Sequence, residues 1–98
     1  MISQNALSDA RRLLQELKAI LQREGETNCI RGVIAAIESL DDSNAEQGFA
    51  EARSIYKTVA QGKAPLSDYY IKRVNPTEQA EANKRLDELR DDLWRLFE

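Results

Sequence analysis

Apolar side chains recur along this chain at three- and four-residue steps in four separate stretches, and the longest comes last. Between Asn75 and Glu98, residues Ala82, Leu86, Leu89, Leu93, Leu96 and Phe97 fall on one side of a helix. Its start is marked by three residues. Asn75 can accept from the first free amides, Pro76 suits the first helical position, and Glu78 is spaced to reach back to the cap's own amide. A helix of about 22 residues is about 33 Å long, so the earlier segments must supply the surface that buries it.

Those segments read the same way. From Ser3 to Glu24, residues Leu7, Ala10, Leu14, Leu17 and Leu21 form a stripe that Leu13 and Ile20 widen, with Ser3 as cap and Gly25 as a left-handed stop. Thr27 is the next cap candidate, and Ile30, Val33, Ile34, Ile37 and Leu40 give a second helix, joined to the first by two residues as a helical hairpin. Ser43 and Glu46 have capping-box spacing. The third helix then carries Ala45, Phe49, Ala52, Ile55, Tyr56 and Val59 inward and ends at Gly62. Gly48 weakens that helix by about 1 kcal/mol unless a neighbour approaches too closely for a side chain.

Only residues 62–75 are irregular. Pro65 bars helix immediately before it, Ser67 can cap a short turn, and Tyr69, Tyr70 and Ile71 are too apolar for a loose linker. An ordered aromatic crossover laid against the bundle is expected. The reading is all-α: one domain, residues 1–98, a four-helix bundle with helices over about 3–24, 27–40, 44–61 and 76–97.

Composition agrees and narrows the function. Ninety-eight residues, 42% apolar and 32% charged with four glycines and two prolines, suit one self-sufficient helical core. A net charge of −3 disfavours nucleic acid, which needs a basic face. One cysteine makes no internal disulfide, no signal-peptide pattern is present, and no apolar run approaches a membrane span, so a cytoplasmic protein away from membranes is expected.

Catalytic chemistry finds little support. The chain has no histidine, which removes the commonest general base and transition-metal ligand. The Glu-x-x-His pairs of a di-metal bundle are therefore missing, and Gly62-Lys63 lacks the rest of a phosphate loop. Cys29, in the first turn of the second helix, is where a helix dipole lowers a thiol pKa, although a lone cysteine beside Ile30 is more often a core filler. No enzyme, metal or cofactor is expected.

Two surface features remain. Glu38, Asp41, Asp42, Glu46 and Glu51 form a run without Lys or Arg, while Arg53, Lys57, Lys63, Lys72 and Arg73 are accompanied only by Asp68. Charge runs are usually solvated surface, but an acidic tip also suits docking on a basic protein. On the last helix, Asn83, Asp87, Arg90 and Trp94 form a second stripe, either a ligand groove or a platform for the crossover. As a platform, Arg90 pairs with Asp68 and Trp94 covers tyrosine rings.

The crossover from Gly62 to Ile71, followed by Asn83, Leu86-Asp87, Leu89-Arg90 and Leu93-Trp94, resembles a family of small uncharacterised bacterial helical proteins. In these a Gly/Ser-Asp-aromatic loop precedes a Leu-Asp-x-Leu-Arg helix. The resemblance covers the C-terminal half and implies a helical fold and a bacterial source; this chain has Ala64-Pro65-Leu66 where the loop tends to carry another glycine and serine. In size, charge and class the chain is also similar to bacterial immunity proteins. That likeness implies a protein that binds a toxin domain through Glu38, Asp41, Asp42, Glu46 and Glu51, with Tyr69 and Tyr70 as anchors. The alternative is a self-associating structural or regulatory bundle, a homodimer formed through the side of the first helix that carries Leu13 and Ile20.

Overall fold

A computed structural model of the chain describes residues 3–62 and 66–98. The break at Pro65 and the charge of Lys63 lie outside the described residues. Four helices run in chain order: α1 (Gln4–Arg23), α2 (Cys29–Ser39), α3 (Ala45–Gln61) and α4 (Pro76–Leu96), with a short 3-10 turn at Leu66–Asp68 before α4. Long-range contacts fix their directions. The start of α1 meets the end of α2 through Arg11 and Asp41, and its C-terminal end meets the approach to α4 through Glu24 and Arg73. Tyr56 of α3 donates to the Arg90 carbonyl of α4. Consecutive helices are therefore antiparallel, and α4 closes the ring against both α1 and α3, as an up-down bundle requires.

The helix ends follow local chemistry. Ser3 accepts from Ala6 N–H, and Asn75 accepts from both Thr77 and Glu78 N–H with Pro76 behind it. Gly25 takes φ +74° after α1, a conformation that L side chains rarely adopt. Two expected caps shift by one residue or change identity. Asn44, not Ser43, caps α3 by accepting from Gln47 N–H. The start of α2 is served not by Thr27 but by Glu26, whose two carboxylate oxygens accept from Cys29 and Ile30 N–H at 2.9 Å each. That carboxylate sets the first turn at Cys29, so residues 24–28 form the connection and the hairpin loop is longer than two residues.

The core is one cluster drawn from every helix and the crossover. Leu14, Leu17 and Leu21 of α1, Val33 of α2, Tyr56 of α3 and Leu86, Leu89 and Leu93 of α4 are fully buried with Phe97, Leu66 and Ile71. Phe97 closes one end, its ring 5.1 Å from Phe49 and 5.6 Å from Tyr56. The third helix also buries Ala60, one turn beyond Tyr56 on the same face, where Val59 is the residue expected inward.

Close approach between α2 and α3 depends on two glycines. A methyl group at Gly48 would overlap the Ser39 carbonyl oxygen and touch Asp42 Cβ, which accounts for a glycine inside a helix. A methyl at Gly32 would overlap Val59 Cγ2.

Candidate functional site

Asn83 is the one buried polar side chain among the described residues, and it is wholly occupied by backbone. Its Oδ1 accepts from Ile71 N–H at 2.8 Å, and its Nδ2 donates to the carbonyls of Ile71 at 2.8 Å and Gln79 at 2.9 Å. Two turns further along α4, Arg90 donates to the Leu66 and Tyr69 carbonyls at 2.7 and 2.8 Å and pairs with Asp87. Asn83 and Arg90 of the second stripe thus hold the crossover, while Asp87, Arg90 and Trp94 also line a cleft. Arg90 engages backbone carbonyls and Asp87, however, not Asp68, which is exposed at the end of the 3-10 turn. Trp94 does not cover tyrosine rings either: its indole lies under the Lys57 ammonium, 5.1 Å from the ring centre. Ser67 donates to the Ala60 carbonyl at 2.9 Å, tying the turn to the end of α3 rather than capping a turn of its own.

Between α3, the turn and α4 lies a cleft of about 260 Å³ with Tyr56, Ala60 and Leu66 as its floor and Arg90, Asp91 and Trp94 among its walls. Burial pushes the Tyr56 phenol up to about 12, so near neutrality it is a neutral donor to the Arg90 carbonyl.

The acidic tip lies around the α2–α3 turn, at the opposite end of α3 from Ala60. Glu38, Asp41, Asp42, Glu46 and Glu51 are all exposed. Part of their charge is committed to structure. Arg11 of α1 pairs with Asp41 and reaches the Leu40 carbonyl at 3.3 Å, a counter-charge invisible within the acidic run itself. Asp42 accepts from Asn44 N–H at 2.8 Å, and Glu51 accepts from Gln47 Nε2 at 3.3 Å.

The two tyrosines are not beside that tip. Tyr69 is half-buried near the N-terminal end of α2, where burial and the charges of Glu24 and Glu26 raise its pKa. Tyr70 is exposed, and its hydroxyl accepts from Gln79 Nε2 at 2.6 Å. The eleven residues of α2, a rise of about 16 Å, separate this end from the acidic tip. The expected contact set therefore divides into two groups. The basic run is likewise engaged in part: both terminal guanidinium nitrogens of Arg73 meet Glu24, Nη1 to Oε1 at 2.7 Å, and Lys57 sits on Trp94.

Cys29 has the opposite character to an activated thiol. Burial first, then the charge and hydrogen bond of Glu26, push it up to about 11 despite its place at a helix N-terminus. Burial would raise the Glu26 carboxyl as well, but amide hydrogen bonds from Cys29, Ile30 and Asn28 outweigh it and hold the group below its ordinary value. Leu13 and Ile20, expected on a self-association strip, are buried in the monomer core. The large apolar side chains left exposed among the described residues are Tyr70 and Val74, both on the crossover side of the molecule.

No family model, curated protein or solved structure matches this chain. Nor is any described helix long and apolar enough to cross a membrane.

Proposed function

We propose that this chain is a non-enzymatic, cytoplasmic protein-binding module of the immunity type, which binds a bacterial toxin domain with a basic surface and blocks its active site. The observation that carries the reading is the exposure of Glu38, Asp41, Asp42, Glu46 and Glu51 together around one turn of a closely packed helical scaffold. A fixed negative field on a preorganised face speeds encounter with a basic partner and selects against acidic ones. The Asp42 turn bond supports this by fixing the turn, while Arg11 offsets the charge of Asp41 and leaves the field to the other acidic residues. Tyr70, some distance away, extends the contact only to a partner broad enough to reach it.

The test is capture from bacterial lysate with the tagged chain beside the E38K/E51K variant, read by mass spectrometry. Those substitutions reverse charge at the tip while leaving the Arg11–Asp41 pair and the Asp42 turn bond intact. A single stoichiometric partner with a basic or catalytic domain, associating at least about tenfold more slowly with the variant at low salt, supports the reading. Capture unaffected by charge reversal removes the tip from the site. Light scattering on the same sample addresses the homodimer. Leu13 and Ile20, the strip expected for it on α1, are buried in the monomer.

A further inference from the structure

The stretch from Leu66 to Val74 is attached to the bundle in an unusual way. Among the described residues, no backbone-to-backbone hydrogen bond joins it to any helix; its one such bond is internal, from Tyr69 N–H to the Leu66 carbonyl at 3.1 Å. Every other polar tie is made by a side chain. Asn83 holds Ile71 by both backbone groups, Arg90 holds the Leu66 and Tyr69 carbonyls, Gln79 Oε1 accepts from Arg73 N–H at 2.8 Å, and Arg73 is clamped to Glu24. Two buried apolar side chains, Leu66 and Ile71, anchor it, with half-buried Tyr69 packed beside them.

We infer that residues 66–74 are a strap that opens as one unit while the four helices remain packed. Releasing it breaks no helix hydrogen bond and withdraws Leu66, Ile71 and half-buried Tyr69, whereas global unfolding must also expose the leucines of α1 and α4. The side-chain clamps act together because they grip successive carbonyls and amides of one short segment. Opening bares the seat of Leu66 against Tyr56 and Ala60, turning the shallow cleft between α3 and α4 into a longer apolar groove. The strap is thus a conformational device that keeps this seam covered in the resting protein.

Native-state amide hydrogen exchange over a low-denaturant series tests the strap in the unmodified chain. The Ile71 and Arg73 amides are expected to exchange through an opening with weak denaturant dependence, faster than the α1 and α4 core amides of Leu17 and Leu89. N83A should speed Ile71 exchange by roughly tenfold to a hundredfold. Because its bonds are lost in the opened and the unfolded state alike, the separating variant is Leu14→Val in the core of α1, which should speed Leu17 and Leu89 by about threefold to tenfold and leave Ile71 and Arg73 nearly unchanged. R73Q, a milder change that preserves the core, should speed the strap amides by about twofold to fivefold. If Ile71 and Arg73 instead share the rate and denaturant dependence of Leu17 in the unmodified chain, the strap belongs to the global unit and the inference fails. It fails equally if Leu14→Val accelerates all four amides to the same extent.

Discussion

Asn83 pairs with Ile71 as a neighbouring β-strand would, accepting from its N–H and donating to its carbonyl, each at 2.8 Å. A residue without regular structure is thereby given full backbone satisfaction by a single side chain on α4, and Ile71 can be buried in the core at no cost in orphaned polar groups. This explains how a crossover with so little secondary structure of its own is an integral part of the bundle.

Removing that side chain leaves the buried amide and carbonyl of Ile71 to find new partners, while the Gln79 carbonyl keeps its place in the α4 ladder. Asn83→Ala is expected to destabilise the fold by about 3 kcal/mol, the order for stranding buried backbone groups. Asn83→Leu should do no better, since it fills volume without restoring either bond. Denaturant midpoints would check both; a loss below about 0.5 kcal/mol would show that water replaces the asparagine.

The glycines of the α2–α3 seam make a contrasting pair. Alanine normally stabilises a helix by about 1 kcal/mol over glycine. At Gly48 the added methyl meets the Ser39 carbonyl, which is backbone and cannot turn aside, so Gly48→Ala should be destabilising by about 1–3 kcal/mol net. At Gly32 the obstacle is one methyl of Val59. Gly32→Ala should also destabilise, but Val59→Ala in the same chain should relieve the overlap, giving a favourable coupling of about 1 kcal/mol in a double-mutant cycle. Additive losses would mean that the helices separate without meeting that obstacle.

Acid should weaken the fold in a defined window. The Arg85 hydrogen bonds, both at 2.6 Å, hold the Glu16 carboxyl below its ordinary 4.5, and the Arg73 clamp does the same for Glu24. At Glu26, burial pushes upward but the amides of α2 prevail. Each group binds a proton less readily folded than unfolded, so its stabilisation is complete above the unfolded value near 4.5 and is lost as pH falls through the lower folded values. Thermal midpoints should be level from pH 7 to about pH 5.5 and decline below it. Glu26→Gln should flatten the decline while lowering the plateau; a midpoint constant down to pH 3 would count against all three contacts.

Much of the architecture was legible in the chain because helix formation is read locally. The three- and four-residue spacing of Leu14, Leu17, Leu21, Leu86, Leu89 and Leu93 marks buried faces, and Ser3, Gly25, Asn75 and Pro76 act on amides or torsions within a few residues of themselves. Glu26 was also within local reach: a carboxylate three residues before Cys29 can meet the first free amides of α2, although Thr27 looked the more conventional cap.

What the sequence by itself determined, then, is the set of four amphipathic helices, the capped starts of α1 and α4 and the acidic character of the α2–α3 turn. Tertiary structure alone decided that Arg11 neutralises Asp41, that Arg90 grips carbonyls rather than Asp68, that Gly32 and Gly48 are points of close approach, and that the tyrosines sit apart from the acidic residues. The reason is physical. Periodicity and capping act over one or two helical turns, whereas hydrogen bonds to backbone and van der Waals overlap depend on which distant segment arrives alongside. A backbone carbonyl has no residue type, so nothing in the letters of the crossover announces that Asn83 and Arg90 will take hold of it.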